Sequence, residues 1–168
     1  IEENLGRYNA MLVGCGLGWS PGTADFMEEL LLSGPQPGQS PGVPVIIDAD
    51  GLNNLSQVKE WWGRLGRPAS VTPHPGEMAT LTGAATDELQ QDRAGSARRW
   101  ASIWNVTVAL KGAYTAVAGP EGTVRVSPFS NPGLASGGTG DVLSGIIVGL
   151  MAQGLSPNDA TCCGVFLH

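Results

Sequence analysis

The sequence predicts an α/β domain of three layers, with a largely parallel central sheet, helices on both faces and a hairpin at one edge. Three observations carry that expectation. Apolar runs of strand length alternate with helix-length segments along the chain, the order that produces parallel sheets. Several of those runs stop at glycine, aspartate or lysine, which gathers polar residues beyond the strands' carboxyl ends, where such sheets bind ligands. Two short runs late in the chain flank a Gly-Pro-Glu-Gly turn, the signature of a hairpin. At 168 residues the chain fits one domain, 1–168, able to bury roughly 70% of the surface its unfolded form exposes.

The first run, Ala10–Cys15, ends in Gly16-Leu17-Gly18, and Ser20-Pro21 then offers a cap and a first helical position for PGTADFMEELLL. The segment 33–44, SGPQPGQSPGVP, has no apolar period and is expected as a surface loop. It leads into Val45-Ile46-Ile47, a buried strand ending in Asp48-Ala49-Asp50. A helix is expected around Gln57–Leu65, closed by Gly66-Arg67-Pro68, and then a strand over Ala69–Thr72. Thr86-Asp87-Glu88 opens a third helix in which Leu89, Ala97, Trp100, Ala101 and Trp104 recur at helical spacing. The β-branched strand Val106–Leu110 stops at Lys111-Gly112. Tyr114–Ala118 and Val124–Val126, on either side of Gly119–Gly122, read as two edge strands. A long helix follows the glycines at 137–140, and a last one covers Asp159–His168.

Composition excludes several function classes. Formal net charge is −6 and the cations are scattered, with Arg93, Arg98 and Arg99 expected on solvent-exposed faces of one helix. No footprint for nucleic acid results. The longest apolar stretch, residues 142–155, falls short of the ~20 residues that cross a bilayer, so no membrane span is expected. The opening IEENLGRYNA lacks the basic and apolar pattern of a signal peptide. Cys15, Cys162 and Cys163 lack the spaced pairs that bind zinc and are expected as buried, reduced thiols of a cytoplasmic protein. Trp61, Trp62 and Trp104 are expected in the core or at an interface.

The sharpest chemical signal is NPGLASGGTGDVLSGIIVGLMAQG, residues 131–154, a small-residue loop feeding an apolar helix. Glycines let backbone approach a ligand, and the first N–H groups of a helix are unpaired and lie at its positive end. Gly137-Gly138-Thr139-Gly140 is therefore expected to cradle phosphate. Asp141, in the first helical turn, reads equally as a helix-stabilising charge or as a general base beside that phosphate. GCGLGW is too short for GxGxxG and no GK[ST] follows a glycine loop, so neither a dinucleotide fingerprint nor a Walker A loop is present.

Thr72–Glu77 places His74 and Glu77 on a proline-bounded turn, either as ligand-facing groups or as a turn residue and a helix cap. They fall short of the three ligands of catalytic zinc; Mg²⁺ held mostly by phosphates and water fits better. Asp48 and Asp50 are expected on the same side of a strand end. With Asn53 they form either a polar cluster for a sugar or amide, or an Asx turn and cap. Lys111 ends a strand before a glycine, where it meets a nucleotide phosphate or is simply solvated.

In this order, GCGLG (14–18), VIIDADGLNNL (45–55), VTPHPGEMATLTG (71–83), ALKGAYTAVAGPEG (109–122) and NPGLASGGTGDVLSGIIVGLMAQGL (131–155) closely resemble the NAD(P)H-hydrate dehydratase family. The resemblance covers nearly the whole chain. It implies a ribokinase-like fold and a lyase that uses ADP or ATP with Mg²⁺ to return hydrated NADH or NADPH to the reduced cofactor. The ring hydroxyl is phosphorylated, and phosphate is then eliminated. By motif, Asp141 is implied as the base that activates the hydroxyl, and the amides of Gly138, Thr139 and Gly140 as stabilisers of the moving phosphoryl group. Gly18, His74, Asp50, Asn53 and Asp141 are implied for the hydrated dinucleotide. Lys111, Gly112, Ala113, Tyr114, Thr115 and Gly140 are implied for the adenine nucleotide, and Glu77 as an indirect holder of Mg²⁺.

The same likeness implies a partner NAD(P)H-hydrate epimerase, fused or separate. Family members are longer, so the chain reads as one ribokinase-like domain without the family's opening strands and C-terminal end. Cys15 stands where the family often has proline. A sheet edge left exposed, together with the tryptophans, predicts a homo-oligomer. Two other readings stay open at this point: a small-molecule kinase of the same fold, and a non-catalytic nucleotide-binding subunit.

Overall fold

The computed structural model describes residues 7–33 and 42–168, so most of the expected surface loop, 34–41, lies outside the described residues. The elements run β1 (Met11–Val13), α1 (Pro21–Leu32), β2 (Val45–Ile47), α2 (Asp50–Leu55), a 3-10 turn (Trp61–Gly63) and β3 (Ala69–Val71). Then come α3 (Pro75–Thr82), α4 (Thr86–Gln91), α5 (Arg93–Trp104), β4 (Thr107–Leu110), β5 (Ala116–Ala118) and β6 (Val124–Val126). A second 3-10 turn (Pro132–Leu134), α6 (Thr139–Ala152) and α7 (Pro157–Leu167) complete the described chain.

The strands form one sheet in sequence order, parallel from β1 to β4 and antiparallel from β4 to β6. β2 and β3 are buried throughout, as a parallel sheet covered on both faces requires. Alternation then sorts their side chains. Val45, Ile47, Val71, Val108 and Leu110 pack with α1 to α5, whereas Ile46 packs with Leu143, Ile147 and Met151 of α6 and Ala160 of α7. The three layers follow from that sorting. Ser20 caps α1, accepting the Thr23 N–H at 3.2 Å ahead of Pro21 at the first helical position. Among the described residues no helix is long and apolar enough to cross a membrane.

Three local expectations change. The helix expected over Gln57–Leu65 is a set of turns ending in the 3-10 turn; the helix after β2 starts earlier, at Asp50, and Glu60 takes a left-handed φ of 52° that prevents one from forming further on. The third helix is two, because Asp92 leaves helical geometry (φ −136°, ψ 79°) and caps α5 by accepting the Gly95 N–H at 2.8 Å. Of the two hairpin strands, β6 lies at a sheet edge, with β1 at the opposite one; β5 is interior, paired on both sides, and begins at Ala116 because Tyr114 has a φ of 57°. Arg125 puts a charge on the β6 edge, which discourages strand addition there.

Four of the five tryptophans cluster against the core, and Trp19 is exposed. Trp61 and Trp104 are each 1% exposed with ring centroids 5.4 Å apart, and Trp62 and Trp100 pack on them. Of the tryptophans, that leaves Trp19 as the one open to a partner. At the other end of the sheet Gly14 has a φ of 123°, and a Cβ there would overlap the Asp48 carbonyl oxygen. Gly14→Ala is expected to cost about 2–3 kcal/mol from backbone strain and overpacking, read as a lower urea midpoint with an unchanged slope.

Candidate active site

The site forms where the carboxyl ends of β1 to β4 meet the start of α6. Gly138, with a φ of 88°, is the residue from which α6 departs. Its left-handed backbone is one that a side chain would strain. The Thr139 hydroxyl donates to the Leu134 and Ser136 carbonyls, at 2.7 and 2.9 Å, and so ties the incoming loop to the helix start. Asn131 turns that loop by accepting the Gly133 N–H at 3.0 Å. Asp141 stands exposed in the first turn.

Beneath this helix start lies an ion pair. Asp48, 1% exposed, accepts from Lys111 Nζ at 2.7 Å, from Ser144 Oγ at 2.6 Å and from the Ala49 N–H at 2.9 Å. Lys111 Nζ is also 3.7 Å from Glu77 Oε2. Gly140 closes over the pair: a Cβ on it would stand 3.3 Å from Lys111 Nζ and 3.8 Å from Asp48 Oδ2. Lys111 is thus not a solvated strand-end lysine; its side chain is 19% exposed. An interior charge pair is retained only where both ions are well partnered, and here they are.

Asp48 and Asp50 do not face the same side. The strand ends at Ile47, so strand alternation stops before them, and Asp50 is the first residue of α2. Its carboxylate accepts the Gly18 N–H at 2.8 Å. Asn54, rather than Asn53, completes the clamp by donating to the Gly18 carbonyl at 3.1 Å. Asn53 is half-buried on the same short helix.

His74 and Glu77 form a reciprocal cap on α3. His74 Nδ1 accepts the Gly76 and Glu77 N–H groups at 3.0 and 3.2 Å, and Glu77 Oε2 accepts the His74 N–H at 2.7 Å. An accepting Nδ1 puts the proton of a neutral imidazole on Nε2, 3.5 Å from Glu77 Oε1. His74 is therefore more than a surface turn residue, although its side chain is 57% exposed and open to a ligand.

A cavity of about 860 Å³ opens on the β4–β5 side of the α6 start. Lys111, Gly112, Ala113, Tyr114, Thr115 and Gly140, all the residues read as nucleotide candidates, line it. Phe129 and Phe166, 5.5 Å apart, add an aromatic wall that no local motif announces. Among the described residues one close group of thiol and carboxylate donors occurs, Cys15, Asp48 and Asp141, with ligand atoms within 4.8 Å of one another. A thiol and a carboxylate already committed to Lys111 suit a hard cation poorly. Of these three Asp141 is the exposed carboxylate, so Mg²⁺ would take one ligand here and most of its shell from phosphate oxygens and water; Glu77, 3.7 Å from Lys111 Nζ, lies outside the group.

Burial, above all, then the hydrogen bond to Asp141 and the charges of Asp48 and Asp141, pushes the Cys15 thiol up to about 11. Cys15 and Cys162 are half-buried and Cys163 is exposed, so uniform burial of the thiols does not hold. Iodoacetamide at pH 8 is expected to label Cys163 well ahead of Cys15, with Cys15 labelling rising only as pH approaches 11. Peptide mass spectrometry checks this; rapid Cys15 labelling at pH 8 refutes the protonated thiol.

Compared with known proteins, residues 1–168 match the family model described as NAD(P)H-hydrate dehydratase. The chain is 42% identical along its whole length to a bifunctional NAD(P)H-hydrate repair enzyme of Moorella thermoacetica, of which it covers 30%. It is 40% identical over 95% of its length to an ADP-dependent (S)-NAD(P)H-hydrate dehydratase of Neisseria meningitidis, covering 53% of that protein. A crystal structure of the ADP/ATP-dependent NAD(P)H-hydrate dehydratase of Bacillus subtilis, co-crystallised with ATP and Mg²⁺, superposes with a TM-score of 0.80 at 34% identity. That match covers 96% of this chain and 53% of the other. The three layers are thus the ribokinase-like arrangement. The chain spans from under a third to about half the length of these relatives.

Proposed function

This chain belongs to the NAD(P)H-hydrate dehydratase family, and from that premise we propose that its site returns hydrated NADH or NADPH to the reduced cofactor, with ADP or ATP as phosphoryl donor. The observation that carries the reading is the buried Lys111–Asp48 pair packed under Gly140, at the start of the helix that presents Asp141. A fixed cation, the positive end of a helix and an exposed carboxylate supply positioning and electrostatics, most of what phosphoryl transfer asks of a protein. The Thr139 N–H has only a long 3.4 Å bond to the Ser136 carbonyl to give up.

The nucleotide occupies the cavity against Lys111, Gly112, Ala113, Tyr114 and Thr115, with its terminal phosphoryl group at the amides of Gly138, Thr139 and Gly140. Asp141 takes the proton of the ring hydroxyl, whose oxygen attacks phosphorus. The bond from phosphorus to the bridging oxygen breaks, and its electron pair stays with the departing nucleotide. The carbon–oxygen bond of the new ester then breaks with its electron pair going to the departing phosphate, and a proton passes from the neighbouring carbon to that phosphate or to water, restoring the double bond. Charge growing on the equatorial oxygens is met by the helix amides and by Lys111. Mg²⁺, when bound, would neutralise phosphate charge, with Glu77 acting on its shell from behind Lys111.

The hydrated dinucleotide is placed on the β1–β2 side, against Gly18 with Asp50 and Asn53 in the wall and His74 opposite. Asp50 and Asn54 hold the Gly18 turn to α2, which supports a rigid wall there. An epimerase partner, fused or separate, goes with this chemistry. A homo-oligomer is supported by exposed apolar side chains, among them Trp19, Ile103 and Val142, and light scattering showing only monomer across a wide concentration range would remove it. A cytoplasmic setting is supported by three free cysteines.

The full-length protein that carries this chain, incubated with hydrated NADH, Mg²⁺ and ADP or ATP, is expected to regain the NADH absorbance band with equimolar release of phosphate. No recovery with either nucleotide overturns the reading. Accumulation of a stable phosphoester would instead mark a kinase of the same fold.

A further inference from the structure

Arg93 is in the wrong place for a surface cation. Arg98 and Arg99 are exposed, but Arg93 is half-buried. Asp92 interrupts the helix and sets Arg93 at the first position of α5. A cation there opposes the helix dipole, and among the described residues no carboxylate pairs with it.

What Arg93 does instead is hold backbone. Its Nη2 donates to the Leu110 carbonyl and to the Lys111 carbonyl, both at 2.8 Å. Those two carbonyls are where β4 ends and the turn over 111–115 begins. Gly112, the next residue, has a φ of 142°, and a Cβ on it would overlap the guanidinium. The backbone at Gly112 abuts the Nη1–Nη2 edge of Arg93 with no room for a side chain. Tyr114, two residues on, is also left-handed at 57°. Gly112 takes its backbone freely, but Tyr114 stores strain, and strained turns persist only where their surroundings over-determine them. The other ties are the Lys111 N–H to the Pro73 carbonyl at 2.9 Å, the Thr115 hydroxyl to the Gly112 carbonyl at 3.0 Å, and the Tyr114 N–H to the Phe129 carbonyl at 3.2 Å. Arg93 itself does not line the cavity, so it acts through the turn.

We propose that Arg93 is a positioning residue for the nucleotide: it clamps the Leu110 and Lys111 carbonyls so that the Lys111 ammonium stays on Asp48 and the turn over 111–115 keeps the shape of the cavity wall. This rests on the activity proposed above. Arginine suits the task because the rigid, planar guanidinium fixes the two N–H groups of Nη2 toward two carbonyls while its Nη1–Nη2 edge sits against Gly112. A lysine ammonium keeps the charge and reaches a carbonyl but leaves the space under Gly112 unfilled.

The test uses the full-length protein with Arg93→Met, Arg93→Lys and Arg93→Ala. ADP and ATP binding is measured by calorimetry and steady-state constants with each substrate varied. Loss of two charge-assisted hydrogen bonds predicts nucleotide binding weaker by roughly ten- to a hundredfold in Arg93→Met, with the nucleotide KM rising in parallel. The KM for hydrated NADH is expected to stay within about twofold, because uniform binding of that substrate is untouched. Arg93→Lys falls between, and guanidinium added at millimolar concentration restores part of the nucleotide affinity of Arg93→Ala.

Nucleotide affinity unchanged in Arg93→Met, with only a lower melting temperature, overturns the inference. If the methionine variant does not fold, Arg93→Lys decides: affinity equal to that of the unmodified protein overturns it. Failure of the unmodified protein to bind either nucleotide is a different result. It removes the proposed activity, and the inference with it.

Discussion

Asp141→Asn is expected to lower kcat by about 10²–10⁴-fold while ADP and ATP still bind, the range general-base catalysis contributes. The substitution keeps the shape of the side chain and removes its ability to take a proton. Asp141 is exposed at the first turn of α6, so losing its charge from the helix start costs stability only about 0.3–1 kcal/mol. A collapse of turnover is therefore separable from a collapse of fold. The variant should also leave a mark on Cys15. That thiol is held at about 11 chiefly by burial, but also by its hydrogen bond to Asp141 and by the charges of Asp48 and Asp141. Removing the Asp141 carboxylate takes away upward contributions only, so the Cys15 pKa falls and its alkylation at pH 9 quickens. Turnover retained in Asp141→Asn would remove the base from the mechanism.

Asp48→Ala is the change expected to cost most stability, roughly 3–5 kcal/mol, the usual result of removing one partner of a buried ion pair. It leaves the Lys111 ammonium largely buried and takes the acceptor from Ser144 Oγ. Adding Lys111→Met to it should restore much of that stability, because the stranded charge goes with its partner. Activity should not return with it, since the cation at the α6 start is then absent. Urea midpoints of the single and double variants give the coupling directly. A double variant no more stable than Asp48→Ala alone would show that the pair is not what holds these elements together.

How much of this was legible in the sequence depended on the range over which each feature is decided. Val45–Ile47 and Val106–Leu110 are short runs rich in β-branched residues that stop at Asp48 and Lys111, and both are strands, with the second starting at Thr107. The glycines before Thr139 end a loop and open a helix by local backbone preference alone, and α6 starts there. The break at Asp92 was hidden because the apolar spacing runs unbroken across it. What decides the break is Arg93 turning toward carbonyls 17 and 18 residues away. The partners of Asp48 are similarly remote, Lys111 at 63 residues and Ser144 at 96. Local pattern showed Asp48 in a polar cluster, but strand alternation carried three residues past Ile47 paired it with Asp50. The interior position of β5 was invisible for the same reason: nothing within Ala116–Ala118 says how many neighbours it has.

The connection from β4 to β5 reverses chain direction within residues 111–115, between Leu110 and Ala116, which are themselves paired across the ladder. Both ends are therefore anchored by the same register. Shifting that register by one residue would turn Ala116 and Ala118 away from the cluster beneath them and bring Val117 in, since strand side chains alternate. An inserted residue would have to swell outward into the space the adenine nucleotide is proposed to fill. The span of this reversal is set by the pleat of the sheet, and whatever binds there has to accept the width that the pleat leaves.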